Sequence, residues 1–112
     1  MKFIIKVLLS GLAVVLSAYL LSGVEVDSFF TALIVALILA ILNTIVRPIL
    51  VVLTIPITFL TLGLFLLVIN AIIILLADFL ISGFEVANFW WALIFSIILA
   101  VINAVFEKIS GD

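Results

Sequence analysis

Long uncharged apolar stretches constrain this chain more than any other feature of its sequence. A helix needs about 20 residues to cross roughly 30 Å of hydrocarbon, and slightly shorter spans suffice where lysine or aromatic side chains reach the interface. Three stretches meet this length, at residues 3–21, 29–46 and 89–106. Because 71% of the 112 residues are hydrophobic and only 9% are charged, a charged exterior cannot cover the chain in water. Lipid must therefore be its main solvent.

The region 47–82 is too long for one upright helix and too short for two ordinary ones. Pro56 lacks a backbone donor and disfavours helix at the residue before it, so we expect a break there and a third span at 60–81. As a helix, the dozen residues of 48–59 would span only about 18 Å, which favours an interfacial or re-entrant segment over a crossing. The predicted fold class is an all-α integral membrane protein with four transmembrane helices.

The chain also contains an internal repeat. Under a shift of sixty residues, identical pairs begin at Gly23, Glu25, Val26, Phe29, Ala32, Leu33, Ile34, Ile38, Leu39, Ala40 and Asn43. Chance matches between apolar residues could explain the aliphatic pairs, but they do not readily explain identical glycine, glutamate and asparagine pairs at one fixed shift. The pattern therefore indicates duplication of a unit made of a helix, a short acidic loop and a second helix.

This duplication predicts how the single membrane domain, residues 1–112, is organised. The repeats would be 1–46 and 60–112, joined by an interfacial or re-entrant connection at 47–59. Each repeat crosses the membrane twice, so the two would be parallel, tandem helical hairpins related by a twofold axis along the membrane normal. If the connection itself crossed the membrane, the second repeat would instead be inverted.

Charge and aromatic residues predict the orientation of the spans. The acidic loops 22–28 and 82–88 lie at one end of the spans, and aromatic residues follow both loops. The cations lie at the other end and are Lys2, Lys6, Arg47 and Lys108. By the positive-inside bias, this multi-pass membrane protein would have both termini in the cytoplasm. The first span resembles a secretory signal, but no Ala-x-Ala pattern follows it and the repeat supplies its counterpart, so we expect it to be retained.

A stripe of small residues runs along the second and fourth spans. Its members recur every fourth residue and are Ala32, Ala36, Ala40, Ala92, Ser96 and Ala100. Small residues let membrane helices approach closely. The stripe therefore predicts either packing of the second span against the fourth or a seam between copies of the chain.

Three asparagines, Asn43, Asn70 and Asn103, fall within or near the ends of the spans. Each amide needs a hydrogen-bond partner in hydrocarbon, so these residues are candidates either for helix packing or for the polar lining of a water or ion path. Asp78 is a candidate for the same roles, because an ionisable group within a span is costly. Because Asp78 lies close to the outer interface, the alternative is a carboxylate that reaches water there and has no further role.

Two further motifs have weaker functional meaning. Glu25 and Glu85 occupy equivalent places in the two loops, where they would be either solvated or paired around a cation. Arg47 and Pro48 are predicted to end the second helix as a cytoplasmic anchor, with the arginine on lipid phosphate or on helix carbonyls.

The residue types that the chain lacks exclude most chemistry. It has no cysteine and no histidine, and four Lys and Arg against six Asp and Glu leave a net charge of −2. Thiol nucleophiles, the commonest metal ligand and the basic surface of a nucleic-acid-binding protein are thus absent. We expect no enzyme, no catalytic, metal or cofactor site, and no nucleic-acid partner.

Several motifs together resemble a known family. They are Gly23 to Leu33, Leu42-Asn43, Arg47-Pro48-Ile49-Leu50, Leu53 to Thr58, Leu60 to Phe65 and Asn70-Ala71. Over nearly its whole length the chain resembles the superfamily IV phage holins with four membrane segments, a family of mostly uncharacterised bacterial membrane proteins. The resemblance implies the four-segment fold and a lysis protein that oligomerises and opens holes in the inner membrane.

Three functions follow as hypotheses. The first is an oligomeric, holin-like pore former, and the second is a non-catalytic scaffold or subunit of an envelope complex. The third is a small channel or transporter that uses Asp78 and the asparagines. The expected partners are membrane lipid together with either further copies of the chain or another membrane protein.

Overall fold

The computed structural model describes residues 2–110, so positions 1 and 111–112 of the two predicted repeats lie outside the described residues. The elements in chain order are α1 Lys2–Leu20, β1 Val24–Val26, α2 Phe29–Leu53, α3 Ile55–Leu60, α4 Phe65–Leu80, β2 Phe84–Val86 and α5 Phe89–Ser110. Between residues 2 and 110, α1, α2 and α5 are long and apolar enough to cross a membrane, with mean hydropathies of 2.2, 2.7 and 2.3. The apolar α4 is shorter, with 16 residues and a length of about 24 Å. The expectation of a mostly helical membrane protein is confirmed.

Equivalent residues begin the second helix of each repeat. Ser28 precedes α2, and its Oγ accepts a hydrogen bond of 3.2 Å from the Thr31 N–H. Sixty residues later, the Asn88 Oδ1 accepts a bond of 3.1 Å from the Trp91 N–H and starts α5. Serine and asparagine suit this position because their oxygens satisfy an amide that lacks an intrahelical partner.

The prediction that the second helix ends at Arg47 and Pro48 is wrong, because α2 continues through Pro48 to Leu53. Proline fits the backbone angle of a helix and removes only one hydrogen bond, and a membrane helix tolerates this loss because lipid offers the backbone no alternative partners. Leu50 and Val51, which follow the proline, pack against the buried core and hold the extension in place. The connection between the repeats therefore starts later than residue 47.

The chain turns back through two breaks. The first is at Thr54, whose hydroxyl donates to the Leu50 carbonyl at 2.7 Å. The second follows α3, where Leu62 and Gly63 have φ values of 57° and 90° and the Gly63 N–H donates to the Thr58 carbonyl at 2.8 Å. Because of this left-handed turn, α4 begins at Phe65, five residues after the start predicted at residue 60.

A two-stranded antiparallel ribbon joins the two acidic loops, and the all-α prediction missed it. Glu25 pairs directly with Glu85, its own equivalent in the repeat. The Asp27 N–H donates to the Gly83 carbonyl at 2.9 Å, and the equivalent Ala87 N–H donates to the Gly23 carbonyl at 2.8 Å. The ribbon therefore places the α1–α2 and α4–α5 connections at the same end of the bundle, which we call the ribbon end.

Helices α1, α2, α4 and α5 form a closed ring in which each contacts two others. Contacts join α1 to α2, α2 to α4, α4 to α5 and α5 to α1. In the described part of the chain α2 and α5 are diagonal and have no Cα atoms within 8 Å of each other, so the expected close packing of the second span against the fourth is wrong. The packing core lies between the helices and beneath the ribbon, and its fully buried large side chains are Val14, Val35, Ile69, Ile73, Phe84 and Phe95.

Candidate functional site

Six polar residues of the helices line one cleft in the middle of the ring. The cleft has a volume of about 260 Å³. Its lining consists of Ser10, Val14, Ala36, Leu39, Ala40, Asn43, Arg47, Asn70, Ile73, Ile74, Ser96, Leu99, Ala100 and Asn103. The structure thus brings together all three predicted asparagines and four of the six residues of the small-residue stripe.

Both repeats contribute equally to this cleft. Twelve of its lining residues form six pairs related by the sixty-residue shift: Ser10 and Asn70, Val14 and Ile74, Ala36 and Ser96, Leu39 and Leu99, Ala40 and Ala100, Asn43 and Asn103. Arg47 and Ile73 complete the lining without an equivalent in the cleft. The small-residue stripes of α2 and α5 therefore face each other across the cleft rather than in direct contact. Arg47 breaks the symmetry by adding one charge.

Two amide oxygens bind the guanidinium of Arg47. Its Nε donates to the Asn43 Oδ1 at 2.8 Å, one helical turn away on the same face of α2. Its Nη2 donates to the Asn70 Oδ1 on α4. Asn43 in turn donates from its Nδ2 to the Leu39 carbonyl at 2.9 Å. Arg47 therefore links α2 to α4 through a chain of hydrogen bonds.

Arg47 lies toward the end of the bundle opposite the ribbon, and its guanidinium reaches inward from there. At 1.5 Å per residue, Arg47 is about 27 Å along α2 from the ribbon end, and Asn70 is about 15 Å along α4 from the same end. Helical side chains tilt toward the helix N-terminus, which for α2 is the ribbon end, so Arg47 reaches inward to Asn70. Because α2 continues to Leu53, Arg47 caps no helix carbonyl. Its predicted role as a cytoplasmic anchor beside Pro48 stays a prediction.

The charge of Arg47 is not neutralised by an acid within residues 2–110. Both of its hydrogen-bond partners are neutral amides. A charged side chain in a membrane is costly and normally marks a polar pathway or binding site. The other polar groups of the cleft are Ser10, Ser96 and Asn103. The cleft is thus a polar site of net positive charge inside an apolar bundle.

Burial along the stripe shows which way the cleft opens. Near the ribbon end, Ala32 and Ala92 are 0% exposed and Ala36 is 9% exposed. Farther from the ribbon, Ala40 and Ala100 are exposed. The cleft is therefore closed toward the ribbon end and open toward the opposite end.

Asp78 lies apart from the asparagines, near the ribbon end. It is half-buried, and its Oδ2 accepts a hydrogen bond of 3.1 Å from the Val86 N–H at the end of β2. The exposed Glu25 and Glu85 line a shallow pocket with it. In residues 2–110, no group of three or more His, Cys, Asp or Glu side chains is arranged to hold a metal ion. Asp78 therefore acts here as an acceptor for the ribbon backbone.

Sequence reasoning missed Ser10 and the inward position of Arg47. Ser10 could have been found, because the sixty-residue shift places it on Asn70, which was a candidate. The position of Arg47 depends on the continuation of α2 past Pro48, which local propensity does not predict.

The comparisons with known proteins identify the family of this chain. The family model described as mycobacterial phage holin with four transmembrane segments, superfamily IV, matches residues 1–105. The uncharacterized membrane protein YvlD of Bacillus subtilis (strain 168) is 34% identical over 108 residues, which cover 96% of this chain and 91% of that protein. An uncharacterized protein of Streptomyces coelicolor is also 34% identical, over 91% of this chain and 90% of its own length. No solved structure matches the chain. This chain is a member of the superfamily IV phage holins with four transmembrane segments.

Proposed function

We propose that this protein is a pore former of the bacterial inner membrane, and that its water-filled path begins in the Arg47 cleft. The observation that supports this proposal is the convergence of the polar side chains on a cleft that opens away from the ribbon. Holin-like permeabilisation requires a polar surface at membrane depth, and the cleft supplies one.

The exterior of the helices is a poor alternative wall for such a pore. Lipid-facing side chains on α2 and α5 include Leu37, Ile41, Ile45, Ile97 and Val101, all of which are exposed and apolar. A pore formed by joining these faces would place hydrocarbon against water. The path therefore runs within the four-helix unit rather than between units.

A single unit is closed at the ribbon end. Ala32, Val35, Phe84, Ala92 and Phe95 are each 0% exposed there, and the Phe84 and Phe95 rings pack with their centroids 5.6 Å apart. One unit is thus a half-channel, and conduction requires this end to open. Assembly of several copies, which holin activity implies, is the step at which we expect this end to open.

The orientation that we propose places the ribbon outside the cell. Lys2, Lys6 and Lys108 lie at the other end of the bundle, which the positive-inside bias assigns to the cytoplasm. The two repeats then enter the bilayer as parallel tandem hairpins, with α3 and its exposed Phe59 and Leu60 as the interfacial or re-entrant connection. The cleft consequently opens toward the cytoplasm.

Single cysteines test this orientation in a chain that has none of its own. A cysteine at Glu25 should react with a membrane-impermeant maleimide added to intact cells, because the ribbon faces outward. Cysteines at Lys2 and Lys108 should react only after the cells are opened. Labelling of either of these two positions in intact cells would contradict the proposed topology.

Release of a trapped dye from liposomes tests the pore. We expect the purified chain to release a small dye faster than protein-free liposomes do. Ala100→Leu should slow release at least tenfold, because leucine would fill the open part of the cleft. The neighbouring Val101→Leu, on the lipid-facing surface, should leave the rate unchanged.

Two results would oppose the pore. One is equal release by both leucine variants, which would place the path outside the cleft. The other is continued growth and tight liposomes at high protein levels, which would favour a scaffold of an envelope complex instead.

A further inference from the structure

We infer that the Arg47 cleft binds a single phosphate group, supplied either by free phosphate or by the headgroup of an anionic lipid. The inference deepens the proposed function and rests on it for the cytoplasmic opening of the cleft.

The guanidinium has spare hydrogen-bonding capacity. Arginine carries five N–H groups, and the structure uses one on Nε and one on Nη2, which leaves three without a protein acceptor in the described chain. The fixed fork of these groups matches the spacing of phosphate oxygens and can bind two at once. Arg47 is therefore held in place by its amide partners while part of its fork stays available.

The amides around Arg47 present donors rather than acceptors to a ligand. The Oδ1 atoms of Asn43 and Asn70 already accept from the guanidinium, so the free side of the Asn70 amide is its NH₂ group. Asn103 lines the cleft from α5, and its amide has no hydrogen bond to other described residues. Ser10 adds a hydroxyl on the equivalent side of α1.

The charge of the cleft selects the class of ligand. The lining contains one cation and no carboxylate, which disfavours a metal cation. A tetrahedral oxyanion would accept hydrogen bonds from Arg47, Asn70 and Asn103 together, whereas a halide offers no set of separated oxygens to match the fork. A phosphate group also offsets the cost of an unpaired guanidinium inside a membrane.

The open end of the cleft admits such a group from the cytoplasmic side. Asn43, Ala40 and Ala100 are exposed there, and small side chains keep the entrance wide. Free phosphate could enter from water, and a lipid headgroup from the cytoplasmic leaflet. Both sources would place phosphate oxygens against the Arg47 guanidinium.

Binding measurements on the whole protein in lipid-stripped maltoside micelles test the inference. Sodium phosphate is titrated calorimetrically at constant ionic strength, and phosphatidylglycerol binding is measured separately by native mass spectrometry. We expect saturable binding of at least one probe at one site per chain. Phosphate alone would identify the free anion, and phosphatidylglycerol alone would identify the lipid. Binding of neither probe would overturn the inference.

Matched variants assign the site. Arg47→Gln should weaken binding at least tenfold, and Arg47→Lys should recover only part of the affinity because the fork is lost. Lys108→Gln removes the same charge from an exposed position and should bind normally. If Arg47→Gln does not fold, Asn103→Val serves instead, because it removes a donor that makes no structural hydrogen bond, and it should weaken binding severalfold. Unchanged binding in the folded Arg47 or Asn103 variants would overturn the assignment.

The two proposals can fail independently. Dye release without binding of either probe would remove the phosphate site and leave the pore. Binding that depends on Arg47 in a protein that releases no dye would remove the pore and leave the phosphate site.

Discussion

Replacing Gly23 with alanine is expected to destabilise the folded unit by about 3 kcal/mol or more, through overpacking against a large ring. A Cβ atom at Gly23 would overlap the indole of Trp91, which packs on the bare backbone at this point. The clash involves a rigid ring beside the ribbon, so neither side can move without disturbing β1 or α5. Reversible unfolding in mixed detergent and dodecyl sulfate, followed by helical circular dichroism, measures the loss.

The repeat supplies a specific rescue for this variant. Thr31 stands beside Gly83 in the place where Trp91 stands beside Gly23. Trp91→Thr should therefore relieve Gly23→Ala, and the double variant should be more stable than Gly23→Ala alone. Gly83→Ala is the contrasting variant, because Trp91→Thr should not rescue it. The φ of +97° at Gly83 and the Asp27 carboxylate oxygen, 2.5 Å from the added Cβ, would still oppose the alanine. A Gly23→Ala protein as stable as the parent would show that the indole does not pack on this glycine.

The sequence predicted what depends on long apolar stretches and on the repeat. The span positions follow from the length needed to cross hydrocarbon, and the equivalence of Asn43 and Asn103 follows from the sixty-residue shift. Both asparagines do line one cleft. Local periodicity and an internal repeat thus suffice to find the elements and to identify which residues are equivalent.

Other features depend on contacts between distant segments and were not predictable in the same way. The three-residue strands are too short for a strong alternating pattern, and their pairing becomes evident only when Glu25 meets Glu85. The diagonal placement of α2 and α5 results from the ring of four helices, which small-residue spacing alone does not determine. Tertiary packing also carries α2 past Pro48, where local preference predicted an end.

These differences change the interpretation of the small-residue stripe. Direct contact between α2 and α5 would have made Ala40 and Ala100 structural packing residues. Their positions across an open cleft instead leave room between the helices, and the asparagines and Arg47 line the same space. Small side chains here maintain the width of a polar site rather than a close helix contact.

Asp78→Ala is expected to destabilise the unit by about 2 kcal/mol, the cost of leaving a buried amide without its acceptor. The Asp78 carboxylate accepts the Val86 N–H at 3.1 Å, and Val86 is only 7% exposed. The first repeat has Ala18 at the equivalent position, but its Val26 is half-exposed and water can reach the backbone there. The two halves therefore differ in their need for a side-chain acceptor.

Asp78→Asn separates this structural role from an ionisable one. An asparagine retains an acceptor oxygen, so its stability should stay within about 1 kcal/mol of the parent, and hydrogen exchange at the Val86 amide should remain slow. Asp78→Ala should speed that exchange markedly. Dye release should be the same for Asp78→Asn and the parent, because Asp78 lies outside the Arg47 cleft. A stable Asp78→Asn protein without release would instead place a titrating carboxylate in the conduction path, since only the loss of charge distinguishes the two side chains at this position.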